Sequence, residues 1–169
     1  MAGPACCILV HFEGRVPSWR EILSPYADTC YGEDDVSISD VNPFGGNYRG
    51  EPRPFVGSVD DYRIDAQEYP EEASERELIA KHLSLDITHE VIVAAMCNRQ
   101  PDHHILCVIA ADIAERYNGC IDFDRLDVPE GLLEVYRFRT GQDEYDWTTL
   151  GTPAGARNWL SHPEFRMLK

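Results

Sequence analysis

Lysine is almost absent from this sequence of 169 residues, in which Lys81 and Lys169 are the only two lysines. The 15 Lys and Arg residues stand against 30 Asp and Glu residues, so the formal net charge is −15. Such a chain has no basic stripe that could neutralise phosphates and release their counterions. We therefore expect it to bind neither nucleic acid nor an anionic membrane surface.

Long apolar runs are also missing. Among the longest are residues 5–10 and 91–97, well short of the roughly 20 residues that span a bilayer. The first four residues, Met1 to Pro4, lack the basic region of a signal peptide. We expect a cytoplasmic protein without a membrane-spanning segment.

Closely spaced cysteine pairs of the C-x-x-C type are absent, although the sequence contains six cysteines: Cys6, Cys7, Cys30, Cys97, Cys107 and Cys120. Four of the six lie in apolar runs, where a free cysteine behaves as a small hydrophobic residue. A reducing compartment disfavours disulfides. We expect buried, reduced thiols.

Signatures of catalysis are likewise missing, since the sequence has no G-x-S-x-G elbow and no P-loop. His103 and Cys107 are spaced i, i+4, which can place two zinc ligands on one helix face, but no second pair follows at ligand spacing. We interpret His103 and His104 as half-exposed residues at a helix start. The expectation is a protein without a catalytic site, metal or cofactor.

The hydrophobic pattern predicts strands and helices without a regular alternation. Strands are predicted over residues 5–10, 36–41, 58–64, 88–97, 120–123 and 132–139. Helices are predicted after Ser18, from Pro70, from Pro101 and after Thr152. The fold class is therefore α+β, as one domain over residues 1–169, with a mostly antiparallel sheet, two longer helices and two short ones. The Trp159 side chain is expected to dock onto the core.

Residues 42–57 contain four glycines and three prolines and are predicted to form one long loop. They lie within an acidic region, residues 33–77, whose 13 Asp and Glu and 4 Arg residues give a charge of −9. Acidic groups around exposed aromatic side chains suit a basic protein partner, because the charge speeds association and the aromatics anchor the complex. The residues that we expect to contact the partner are Asp34, Asp35, Phe44, Tyr48, Asp60, Asp61 and Tyr62. A second acidic patch, on a predicted loop, adds Asp143, Asp146 and Trp147 to this set of expected contact residues.

Three motifs lie in the second half of the chain: Asp102-His103-His104-Ile105-Leu106, then Gly119-Cys120-Ile121-Asp122-Phe123, then the terminal W-L-x-H-x-x-F-R-M-hydrophobic-K run that begins at Trp159. Over about the last 70 residues the chain resembles a family of small acidic bacterial proteins of unknown function. Such families are similar in size and acidity to immunity proteins, which neutralise the toxin domain of a neighbouring gene. The resemblance brings no catalytic residue with it.

These observations predict a cytoplasmic immunity protein that binds and occludes a cognate, basic toxin domain and is not an enzyme. Two alternatives remain open. One is a small metal-assisted hydrolase that uses His103, His104 and a carboxylate. The other is a general protein-interaction module without a toxin connection.

Overall fold

The structure is a computed structural model that describes residues 3–26, 29–31, 35–38, 53–62, 70–139 and 145–167. Within these residues the chain forms eight strands and four helices. The strands are β1 (Ala5–Val10), β2 (Thr29–Tyr31), β3 (Asp35–Ile38), β4 (Arg53–Asp60), β5 (His89–Ala95), β6 (Cys120–Asp122), β7 (Glu134–Arg139) and β8 (Tyr145–Gly151). The helices are α1 (Trp19–Leu23), α2 (Pro70–Leu83), α3 (Gln100–Arg116) and α4 (Pro153–Leu160).

The eight strands form one sheet in the order β2-β3-β4-β5-β1-β6-β8-β7. Every pairing between these strands is antiparallel. The first strand of the chain lies inside the sheet, with β5 on one side and β6 on the other. The predicted α+β class with a mostly antiparallel sheet is confirmed, as are two longer and two short helices.

One face of the sheet holds the larger core. Alternate residues of β1 and β5 point to this face, and the cross-strand pairs Cys6 with Val93 and Ile8 with Val91 are both buried there. Helices α1, α3 and α4 cover it with apolar side chains that join the same cluster. The contributors from α1 and α3 are Trp19, Ile22, Leu23, Ile105, Leu106, Cys107, Ile109, Ala110, Ala111, Ile113 and Ala114.

A second cluster is built around the side chains that β1 directs to the opposite face. Leu9 lies there with Ile79 from α2, and both are fully buried or nearly so. The other buried members of the cluster are Tyr62, Ile87, Cys120 and Leu150. β1 therefore packs against apolar side chains on both faces, which explains why its sequence is apolar at every position.

The helix boundaries follow the sequence signals. The Ser18 Oγ accepts a hydrogen bond from the Glu21 amide while the Glu21 carboxylate accepts one from the Ser18 amide, so the predicted capping box begins α1. Thr152 caps α4 as predicted. After α3, Asn118 adopts a left-handed conformation with φ 48°, and Gly119 passes so close to the Leu9 carbonyl that a side chain has no room. None of the helices in the described part of the chain combines the length and apolarity needed to cross a bilayer.

Two predicted loops contain strand residues instead. Residues 53–57, assigned to the long loop because of Pro54 and Gly57, belong to β4, and Phe55 is fully buried. Pro54 is the second residue of β4, and its carbonyl accepts a hydrogen bond from the Met96 amide at 2.9 Å. Tyr145 and Trp147, predicted to lie on a loop, belong to β8, which pairs with β7 from Tyr145 to Leu150.

The terminal motif packs against the core, as expected for Trp159, whose side chain is 0% exposed. The Trp159 indole N–H donates to the Arg166 carbonyl at 3.0 Å, and its ring contacts Phe165 edge to face. His162 stacks on the other part of the indole and accepts a hydrogen bond from the Glu164 amide. We call residues 159–167 the C-terminal clasp, because they close on themselves around the tryptophan.

Candidate functional site

A groove of about 670 Å³ lies between β4 and the segment that leads into α1. One wall is the segment from Arg15 to Trp19, which leads into α1, and the other is residues 56–59 of β4. Ile92 and Ala94 of β5 complete the lining. Most of these lining groups are apolar, and the groove opens to solvent.

The two walls of the groove contact each other at Gly57, because this residue has no side chain. A Cβ atom at this position would lie 2.6 Å from the Trp19 ring and would also collide with the Ile92 carbonyl oxygen. The indole of Trp19, 5% exposed, therefore occupies the space that a side chain would take. This close packing fixes α1 against β4 and gives the groove its shape.

An ion pair holds the segment that forms the outer wall. The Arg15 guanidinium donates to a carboxylate oxygen of Glu21, and both side chains are solvent-exposed. The hydrogen bonds from Arg15 and from the Ser18 amide lower the pKa of Glu21 to about 2. At neutral pH the Glu21 carboxylate neutralises Arg15, so this wall carries no net positive charge.

Acidic side chains lie at the end of β4, which ends at Asp60 and not, as predicted, at residue 64. Asp60 is exposed and accepts a hydrogen bond from the Ser58 hydroxyl at 2.7 Å, while Asp61 is half-buried. Tyr62 requires a correction, because its side chain is 2% exposed and lies in the core cluster beneath α2. Tyr62 therefore anchors the fold and offers no surface to a partner.

The two acidic patches are not brought together along the sheet. Asp60 ends β4, whereas Trp147 lies in β8, and β5, β1 and β6 separate these strands. Four strand spacings amount to about 19 Å. The half-buried Trp147 side chain therefore belongs to a different part of the surface from the groove.

Several predicted contact residues lie outside the described residues, namely Asp34, Phe44, Tyr48 and Asp143. Asp35 and Asp146 are placed by their backbone, the first at the start of β3 and the second as the second residue of β8. Asp35 is the cross-strand neighbour of Val56, a groove residue. No sequence signal points to Val16, which lies in the wall that leads into α1, with its side chain 39% exposed.

His103, considered as a metal ligand, has both ring nitrogens engaged. Its Nδ1 accepts a hydrogen bond from the Met167 amide at 3.0 Å, so the proton is on Nε2, which donates to the Asn98 side-chain oxygen at 2.9 Å. The side chain is 9% exposed, which corrects the expectation of a half-exposed position. His103 attaches the C-terminal clasp to the start of α3, while His104 beside it is half-buried.

The carboxylate of Asp102, the residue next to His103, is also engaged in hydrogen bonds within the fold. Asp102 is fully buried, and it accepts hydrogen bonds from the Arg53 guanidinium and from the Arg99 amide, both at 2.7 Å. This buried ion pair joins the first residue of β4 to the first turn of α3. A search of the described ranges finds no group of three or more His, Cys, Asp or Glu side chains that could hold a metal ion.

The described residues form an α+β protein with one antiparallel sheet and an open groove between β4 and the segment that leads into α1. The chain belongs to the family of unknown function DUF6368, whose model matches residues 2–169. The expected membership of a family of unknown function is thus confirmed, and the match extends over both halves of the chain. No curated protein and no solved structure matches the chain.

Proposed function

We propose that this protein is a cytoplasmic bacterial immunity protein that binds a cognate toxin domain and occludes its active site. It does so by covering the toxin and performs no chemistry of its own. The observation that carries the proposal is the combination of a net charge of −15 with an open groove whose lining residue Ser58 donates a hydrogen bond to the exposed carboxylate of Asp60.

Charge complementarity is the first physical argument. Toxin domains that act on nucleic acid need basic surfaces to bind phosphates, and an inhibitor of opposite charge is drawn to such surfaces over about a Debye length. Complementary charge mainly raises the association rate. A surplus of 15 negative charges on 169 residues gives this chain a strong field of the required sign.

Apolar anchors are the second argument, because most of the binding energy at an interface comes from a few desolvated side chains. The groove offers the exposed Val16 side chain for this purpose. Phe44 and Tyr48 remain part of the proposal as further anchors, and Asp34 and Asp35 remain part of the acidic surround. Tyr62 is removed from the set because it is buried.

The test is coexpression with the toxin domain encoded beside this gene. The chain is expected to restore growth and to co-purify with the toxin domain as a stable complex. The double variant Asp60→Lys/Asp61→Lys should slow association, measured by surface plasmon resonance, and should flatten its dependence on salt. Tyr48→Ala should instead speed dissociation.

The matched control is Asp127→Lys/Glu130→Lys, which makes the same change in net charge at two exposed positions away from the groove. This control is expected to retain most of the association rate. The proposal is wrong if the toxin domain is not neutralised, or if its affinity is indifferent both to the substitutions at Asp60 and Asp61 and to salt.

A further inference from the structure

The sheet face opposite the larger core carries apolar side chains where β4, β5 and β1 lie side by side. Residues on this face alternate with those that enter the larger core, so Ala5 is the cross-strand neighbour of Ala94, and Ala94 is that of Val56. Two residues further along β1, Cys7 is the neighbour of Ile92. Ala5 is exposed and the other four side chains are half-buried. We call these five residues the apolar sheet patch.

The apolar surface continues past one end of the patch. Met96 directly follows β5, is 55% exposed and donates its amide to the carbonyl of Pro54, which is also exposed. At the same time Val56, Ile92 and Ala94 of the patch line the groove, so the patch and the groove share residues. Single exposed apolar residues are ordinary, whereas a contiguous set on neighbouring strands indicates an interaction surface.

Acidic side chains border the patch at its other end and along one side. Asp60 of β4 and Glu90 of β5 are cross-strand neighbours, and Asp122 of β6 is the neighbour of Cys7. The Glu90 carboxylate accepts a hydrogen bond from the Cys7 thiol at 3.4 Å. Burial, and then the charges of Glu90 and Asp122, raise the pKa of this thiol well above its usual value, which indicates a negative potential at the patch. A partner that covers the patch must therefore bring positive charge.

The dimensions of the patch match those of one α-helix. Three strands spaced by about 4.8 Å are about 10 Å wide, and residues 90–96 of an extended strand cover about 20 Å. A helix with its side chains is also about 10 Å across, and about 14 helical residues cover the same length. The chain itself covers the neighbouring part of this face with a helix, since Ile79 of α2 packs there with Leu9 and Cys120. A helix from a partner can bury the patch in the same way.

We propose that the apolar sheet patch docks one amphipathic helix of a basic partner. The apolar side of this helix covers Ala5, Ala94 and Met96, and its lysine or arginine side chains reach Asp60 and Glu90. A second copy of this chain is the less favourable occupant, because it brings another 15 negative charges to an acidic surface. The identity of the partner as the toxin domain rests on the proposed function, whereas the mode of binding rests on the patch and its acidic border.

The test uses as its probe a lactam-bridged helical peptide of about 14 residues, with leucines on one side and lysines on the other. Its control is a helical peptide of the same composition whose leucines are distributed around the helix. Because any cationic peptide is attracted to this chain, only the difference between the two peptides is informative. Calorimetry is expected to show at least about tenfold tighter binding of the amphipathic peptide. In ¹⁵N-labelled protein this peptide is expected to shift the amide resonances of residues 5–7 and 92–96.

Two alanine-to-aspartate variants test the location. Ala5→Asp should weaken binding of the amphipathic peptide at least about tenfold, because it places a carboxylate against the leucines. Ala154→Asp adds the same charge at an exposed position of α4, which packs on the opposite face of the sheet, and should leave the affinity unchanged or slightly higher. Met96→Ser, at an exposed position after β5, should weaken binding about threefold without changing the charge. Thermal unfolding verifies that the variants remain folded.

The outcomes separate this inference from the proposed function. Equal affinity of the two peptides, or unchanged binding to Ala5→Asp and Met96→Ser, would overturn helix docking. Concentration-dependent dimerisation that Ala5→Asp abolishes, measured by sedimentation velocity, would overturn it in favour of a second copy. If a toxin domain is neutralised equally well by the Ala5→Asp variant, the patch is not the toxin contact although the immunity function stands. If the peptides behave as expected but no toxin domain is neutralised, the docking patch stands and the proposed function fails.

Discussion

The cysteines of the described residues lie in contrasting environments. Cys97 is exposed, whereas Cys6 and Cys107 are buried in the larger core. Burial raises the pKa of the Cys107 thiol to about 12, and burial together with the neighbouring Cys107 and Asp122 raises the pKa of Cys6 well above its usual value. Since the thiolate is the reactive form, the buried thiols are inert at neutral pH.

We predict selective alkylation as the consequence. Iodoacetamide at pH 7.5 should modify Cys97 in the native protein, while Cys6 and Cys107 should react at least about a hundredfold more slowly until denaturant is added. Peptide mapping by mass spectrometry gives the extent of modification at each position. Similar rates at Cys97 and Cys107 in the native protein would contradict the burial described for α3.

The sequence around His103 does not predict the contact that this residue makes in the fold. Its place in the first turn of a helix predicts partial exposure, and its spacing to Cys107 is compatible with a metal ligand. In the fold, the Met167 amide, 64 residues further along the chain, donates to its Nδ1. No local pattern contains this contact, because it depends on where the chain returns after α4.

At the scale of elements, the C-terminal clasp is expected to contribute strongly to stability. We predict that Trp159→Ala lowers the free energy of unfolding by about 3–5 kcal/mol, because it removes a fully buried aromatic side chain and leaves a cavity. Asn158→Ala, at an exposed neighbouring position on α4, should change the free energy of unfolding by no more than about 0.5 kcal/mol. Urea unfolding followed by circular dichroism measures both, and an unchanged midpoint for Trp159→Ala would show that the clasp does not dock.

The elements that the sequence predicts correctly are those whose signals are local. The apolar runs of β1 and β5 and the caps of α1 and α4 all follow from neighbouring residues. The sequence predicts parts of β4 and β8 as loops because Pro54, Gly57 and a group of acids resemble turn composition. Their strand conformation comes from pairing with β5, which lies far along the chain from β4, and with β7, which precedes β8. For the same reason the sequence does not reveal the groove between β4 and the segment before α1.

At the scale of the whole molecule, the net charge of −15 should oppose compaction through self-repulsion. We predict that raising NaCl from 20 to 200 mM increases the melting temperature by about 2–4 °C, equivalent to roughly 1 kcal/mol for a chain of this size. Differential scanning fluorimetry at constant pH provides the measurement. A decrease would mean that attractive pairs such as Arg157 with Asp112 and Glu115 outweigh the repulsion.

The central position of β1 has a consequence for how the chain acquires its fold. β1 can pair on one side only after β5 has been synthesised, and on the other only after β6, more than a hundred residues later. Contacts of such sequence separation give a high contact order, which slows folding to the millisecond-to-second range typical of sheet-rich domains. During translation the apolar strand β1 therefore remains unpaired until β5, and then β6, have been synthesised. Ribosome-stalled chains that end before Cys120 should lack the protease resistance that chains including β6 acquire.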